Sequence, residues 1–143
     1  MSHRDLVDSY FSSCSEGTAD DIARHFCDEA VVYDLNVAPV RGAAAIGDFY
    51  VQVRGQWGGA RWVLDTYLGD DHHAAGEWSM HGLAEGAPFV VRGSEHYEFR
   101  DGRIAEIRQY WKFDRKRPGV ALRDFPYSQD DRFSTTQAAA DAS

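Results

Sequence analysis

Cysteine is scarce in this chain. Its two cysteines, Cys14 and Cys27, are too few for a disulfide framework and lack CxxC spacing, so reduced thiols in a cytosolic protein are expected. Basic residues are few as well. There are 15 Lys and Arg against 23 Asp and Glu, a formal net charge of −8. A nucleic-acid partner would need a basic footprint, so that class is excluded. The only basic run, Arg115-Lys116-Arg117, reads as a solvated turn. No apolar run approaches the roughly 18 residues of a spanning helix. MSHRDLVDSY has no apolar signal-peptide core, and no membrane partner is expected. Glycine forms no phosphate-loop motif, since Gly42 and Gly58-Gly59 stand in the wrong pattern.

What remains is an ordinary globular composition, 43% hydrophobic and 13% aromatic over 143 residues. One domain over residues 1–127 is expected, followed by a small, polar and disordered tail over 128–143. The chain is organised around Ala30–Tyr50. There Val31-Val32-Tyr33 read as a short strand delivering Asp34, Pro39 and Gly42 turn the chain, and Ala43–Val53 read as a helix. Ile46, Phe49, Tyr50 and Val53 share one face of that helix. An acid at the mouth of a strand, beside an apolar helix, is the start of a pocket.

Two helices precede this stretch. Ser2 with Asp5, and Thr18 with Asp21, have capping-box spacing. Leu6, Val7, Tyr10, Phe11 and Cys14 form the first apolar stripe; Ile22, Ala23 and Phe26 form the second. Four strands follow the central stretch, over 61–68, 72–83, 87–100 and 103–114, the last two joined by Asp101-Gly102. Helices first and then a meander predict an α+β fold: a cone-shaped barrel, its curved antiparallel sheet wrapped around three N-terminal helices.

Period-2 alternation sorts the strand faces. Phe89, Val91, Gly93, Glu95, Tyr97 and Phe99 should face inward, as should Gly76, Trp78, Met80 and Gly82. Ala105, Ile107, Gln109, Trp111 and Phe113 should do the same. Glu95 is the only charge on the apolar face of its strand. Burial would raise its pKa, and such perturbed groups concentrate at functional sites; a structural pairing with an arginine is the plain alternative. Asp34 reads equally as a turn-former, and Tyr10 and Tyr50 as core phenols. His73, Glu77 and His81 share a face, but spacings of four residues set neighbours roughly 13 Å apart on a strand, too far for one metal. No metal and no cofactor are expected.

The pattern resembles the nuclear-transport-factor-2-like superfamily over residues 5–114, and within it the SnoaL-type cyclases and bacterial ketosteroid isomerases. DSYFSSCSEGT resembles the segment holding an oxyanion-hole tyrosine, here Tyr10. AVVYDLNV resembles the strand ending in the general-base aspartate, here Asp34. GAAAIGDFY resembles the helix whose tyrosine bonds the oxyanion-hole tyrosine, here Tyr50. GSEHYEFRDGRIAEIRQYW resembles the strand pair with the second oxyanion-hole acid, where Glu95 replaces the isomerases' aspartate; Trp111 matches a pocket-lining aromatic.

The resemblance implies a cofactor-free enzyme moving a proton beside a carbonyl of a small, apolar, ring-containing substrate, by isomerisation, cyclisation or dehydration. In it Asp34 is the base, while Tyr10 and protonated Glu95 hold the oxyanion; a cyclase or dehydratase could exchange the two acids' roles. A non-catalytic module binding a small hydrophobic ligand is the alternative. Tyr50, Trp78, Met80, Tyr97, Phe99, Trp111 and Phe26 are the expected substrate contacts. A homodimer through the outer sheet face is implied too, with Glu77, Ser79 and His81 at or near that surface.

Overall fold

The computed structural model describes residues 1–114, 116, 122–129 and 131. Helix α1 (His3–Glu16) starts where Ser2 Oγ accepts the Asp5 N–H at 3.1 Å and the Asp5 carboxylate accepts the Ser2 N–H at 3.2 Å. Thr18 and Asp21 make the same reciprocal cap on α2 (Ala19–Ala23). These boxes satisfy N–H groups that a helix start otherwise leaves open. Helix α3 (Ala43–Gln56) packs against α2 so closely that a Cβ on Gly47 would lie 2.2 Å from the Ala19 carbonyl oxygen.

Six strands form one curved, open sheet: β1 (Phe26–Tyr33), β2 (Val40–Arg41), β3 (Arg61–Gly69), β4 (His73–Ala84), β5 (Ala87–Arg100) and β6 (Arg103–Trp111), in the order β2-β1-β6-β5-β4-β3. The meander β3–β6 is antiparallel. Its last two hairpins turn at Glu85-Gly86 and Asp101-Gly102, each with positive φ at both residues, as type I′ loops require. The architecture is the expected α+β one. The sheet, however, is mixed, because β1 runs parallel to β6, pairing Val32 with Ile107. That pairing brings the C-terminal ends of β1 and β6, and with them Asp34 and Trp111, to the same end of the sheet.

Three local expectations are corrected. Phe26 belongs to β1 and not to the second helix, and β1 begins earlier than its apolar run. Asp28 and Glu29 interrupt that run but lie exposed within the strand, next to a register shift. A bulge after Glu98 pairs Phe99 with Ile104, so Ile104 is fully buried and Ala105 only half-buried. Ser79 and His81 are already buried inside one chain, and only Glu77 of that trio is exposed. Ser79 Oγ donates to Asp65 at 2.5 Å on the strand beside it. Tyr127, in the C-terminal segment, lies 3.9 Å from the Arg92 guanidinium on the same outer side. The outer sheet face open to a second copy is therefore smaller than alternation implied. The expected polar tail lies almost entirely outside the described residues.

The core fills the cone between the helices and the concave face. Tyr10 sits at its centre, 2% exposed, edge-on to Phe11, Phe26 and Tyr50 at 5.2, 5.4 and 5.7 Å between ring centres. Cys14 and Cys27 are buried and unpaired. No helix among the described residues is long and apolar enough to cross a membrane.

Candidate active site

A cavity of about 520 Å³ opens between α3 and the inward faces of β4, β5 and β6. Its wall includes Asp34, Tyr50, Trp78, Glu95, Gln109 and Trp111. Helix α3 turns Phe49, Tyr50 and Val53 toward it because they follow one another at helical spacing.

Asp34 occupies the turn after β1, and both its oxygens are acceptors. Oδ1 takes the Asn36 backbone N–H at 2.7 Å, the turn-forming role open to any aspartate there. Oδ2 takes the Trp111 Nε1–H at 2.7 Å and a second hydrogen bond from Gln109 Nε2. The turn and the site thus use different oxygens of one side chain.

Gln109 was legible as an inward residue but not as a site residue. It is 6% exposed and lies directly across the ladder from Glu95, while Trp111 pairs with Gly93. Its amide works in both directions. The oxygen accepts the Tyr50 hydroxyl at 3.0 Å, and the nitrogen donates to Asp34. Tyr50 therefore directs its proton to Gln109 rather than to Tyr10, although the Tyr10 hydroxyl is close enough to lower the Tyr50 pKa slightly against the burial that raises it. The signal for Gln109 was the one that singled out Glu95: a polar residue at an apolar-face position.

Glu95 is 3% exposed, and no arginine among the described residues pairs with it. Burial pushes its carboxyl up to about 8; the nearby Tyr97 hydroxyl partly offsets this and the charge of Asp34 adds to it. The Tyr97 hydroxyl and Glu95 Oε2 nonetheless lack a hydrogen bond of normal length and direction. Near neutral pH Glu95 is a neutral acid able to donate. Its backbone stands two strand spacings, about 10 Å, from that of Asp34, with β6 and the Gln109 amide between the two strands.

The cavity gathers Asp34, Glu95, Tyr50, Trp78 and Trp111 from the expected set, and adds Gln109, Trp62, Trp57 and Phe113. Tyr10 does not reach the wall. It is buried against Tyr50, and burial first and then the charge of Glu95 push its hydroxyl well above the ordinary tyrosine value. Phe26, Met80 and Tyr97 belong to the core and not to the wall, and Phe99 stacks on His3 at 4.0 Å. Among the described residues no group of three or more His, Cys, Asp or Glu side chains could hold a metal ion.

This geometry has known company. Residues 7–107 match the SnoaL-like domain model. Among solved structures, the chain is similar to a protein of unknown function with a cystatin-like fold from Methylobium petroleophilum: 27% identity, TM-score 0.68, 87% of this chain and 86% of that one. It is similar to a candidate polyketide cyclase from Sinorhizobium meliloti, with 25% identity and TM-score 0.61 over 74% of this chain and 94% of that one. A hypothetical protein with a ketosteroid isomerase-like fold from Catenulispora acidiphila, in complex with trimethylamine, shares the fold at TM-score 0.69 and 14% identity, over 75% and 85% of the chains. No curated protein matches the chain. The fold and its cavity define a protein of the nuclear-transport-factor-2-like superfamily. Within it, the chain belongs to the SnoaL-like domain family and has an isomerase- or cyclase-type fold.

Proposed function

We propose that the protein is an acid–base enzyme moving a proton at the carbon beside a carbonyl, without a cofactor, in a small apolar ring-containing molecule. One observation carries this reading. Asp34 and Glu95 face the same apolar cavity in opposite hydrogen-bond states: Asp34 accepts at both oxygens, and Glu95 is held neutral with Oε2 unpartnered.

In this scheme the substrate carbonyl lies against Glu95. Asp34 takes the proton from the α-carbon with the remaining lone pair of Oδ1. The C–H electrons form the enolate carbon–carbon double bond, and charge passes to the carbonyl oxygen. Glu95 donates to that oxygen, a contribution of about 3 kcal/mol per well-placed donor. Asp34 then returns the proton to another carbon, giving an isomer, or the enolate carbon attacks a second carbonyl, whose oxygen takes the π electrons and then the proton from Asp34, giving a ring. Gln109, Trp111 and Asn36 hold the carboxylate in place throughout, and Trp62, Phe49 and Val53 bind the rings. Tyr10 acts indirectly, by fixing Tyr50. The neutral state of Glu95 also suits a dehydratase, in which it would protonate a departing hydroxyl.

The reading includes a homodimer through the part of the outer sheet face around Glu77 and Tyr110; light scattering at micromolar concentration tests it. For the chemistry, β,γ-unsaturated cyclic ketones are followed by ultraviolet absorbance as the double bond moves into conjugation. Conversion by the parent chain, and conversion at least about 100-fold slower by Asp34→Asn, is expected. Equal conversion by both would remove Asp34 from the chemistry.

A further inference from the structure

Among the described residues, two buried polar side-chain atoms in the cavity wall have no hydrogen-bond partner. Trp78 is 4% exposed and Glu95 3% exposed, both line the cavity, and Trp78 Nε1 and Glu95 Oε2 each lack a hydrogen bond. A buried N–H without an acceptor is costly and calls for a reason. The other indole beside the two acids is committed, since Trp111 gives its N–H to Asp34.

The ladder places the two unpartnered groups together. Trp78 is paired with Gly93 and Gly76 with Glu95, so the side chains occupy neighbouring inward positions on adjacent strands. Gly93 leaves the space that lets the indole lean across β5. A Cβ there would lie 2.6 Å from Trp78 Cζ2 and 2.9 Å from Cε2, the ring carbon bonded to Nε1. The Nε1 edge thus lies over Gly93, one inward position from Glu95. Indole N–H can only donate, and Glu95 in its neutral form also has a proton to give.

We propose that Trp78 Nε1 and the Glu95 carboxyl form the donor pair that receives the substrate's carbonyl oxygen, making Trp78 a catalytic residue and not merely an aromatic surface. The inference rests on the enolate reading for the identity of that oxygen. It fills the place that Tyr10, set behind Tyr50, does not reach. It also narrows the ligand class. Two protons directed at one point select an oxygen that accepts from both, a carbonyl, enolate or phenolate, on an otherwise apolar ring system.

Binding alone tests this, with 2-naphthol as the oxygen-bearing probe and 2-methylnaphthalene as its apolar match. Trp78 is replaced by benzothienylalanine, which keeps the two-ring shape and puts sulfur in place of N–H; Trp78→Phe is the second variant. Loss of the N–H is expected to weaken 2-naphthol about tenfold and to leave 2-methylnaphthalene within about twofold. In the parent protein the Trp78 indole proton, assigned from Trp78→Phe, should move downfield when 2-naphthol binds. Equal losses for both probes, an unmoved indole proton, or a parent protein that binds 2-naphthol no tighter than 2-methylnaphthalene would each overturn the pair. Neither probe needs proton transfer at carbon, so these outcomes stand apart from whether Asp34 is a base.

Discussion

Replacing Glu95 with glutamine should change how the protein's stability depends on pH. Glu95 is 3% exposed, and burial raises its carboxyl from 4.5 to about 8. The folded chain therefore keeps this proton up to about pH 8, while the unfolded chain releases it near 4.5. Between those values unfolding releases a proton, so rising pH favours the unfolded state. The stabilising effect of the retained proton is fully present below about pH 4.5 and is lost as pH rises through about 8. The slope is about 1.4 kcal/mol per pH unit, about 5 kcal/mol over the window. Glutamine has nearly the same shape and does not titrate. Urea unfolding of both proteins from pH 4.5 to 9 brings out the effect, because groups remote from Glu95 cancel in the difference. The difference should move steadily in favour of Glu95→Gln between pH 5 and 8 and level off above. A constant difference across that range would refute the buried neutral acid.

Other perturbations act on the remaining parts of the site. Asp34→Asn should lower kcat by about 100- to 10,000-fold with little change in ligand affinity, as removal of a general base does; steady-state kinetics beside naphthol titration separate the two. Gln109→Leu breaks the bridge from Tyr50 to Asp34 and strands the buried Tyr50 hydroxyl, so it should cost about 1–3 kcal/mol by thermal unfolding. Gly93→Ala drives a methyl into the Trp78 ring, 2.6 Å from Cζ2, and should weaken naphthol binding measured by titration calorimetry. Gly47→Ala sets a methyl against the Ala19 carbonyl and should cost about 1–3 kcal/mol of stability in urea unfolding, far from the cavity.

Much of this fold could be read locally. Ser2 with Asp5, Thr18 with Asp21, and Asp101-Gly102 are short-range signals, and each acts where it stands in the chain. Alternation identified the Glu95 face because β4 and β5 pair without a break in register along β4. Long-range pairing left no such trace. Nothing in FCDEAVVY says that β1 will run parallel to β6, so the proximity of Asp34 to Trp111 and Gln109 was out of reach. The bulge at Glu98 reversed the parity of Ala105 and Ile104 because alternation carries no signal of an inserted residue. Ser79 is covered by Asp65, whose contact depends on a register shift in β3 that alternation likewise does not mark. Tyr10 read as a site residue by resemblance, yet only the packing of Tyr50 in front of it sets it behind the wall.

Exchange of an α-hydrogen of a ring ketone with solvent deuterium tests the central claim most directly. It reports enolate formation whatever the later product, and it can be followed by proton NMR with a panel of cyclic and polycyclic ketones. The account expects at least one of them to exchange in the presence of the parent protein, several hundred-fold less with Asp34→Asn, and with a rate that falls as pH rises through about 8, where Glu95 loses its proton. Binding of these ketones with no exchange above the protein-free rate would contradict it and leave the cavity a binding site without proton chemistry.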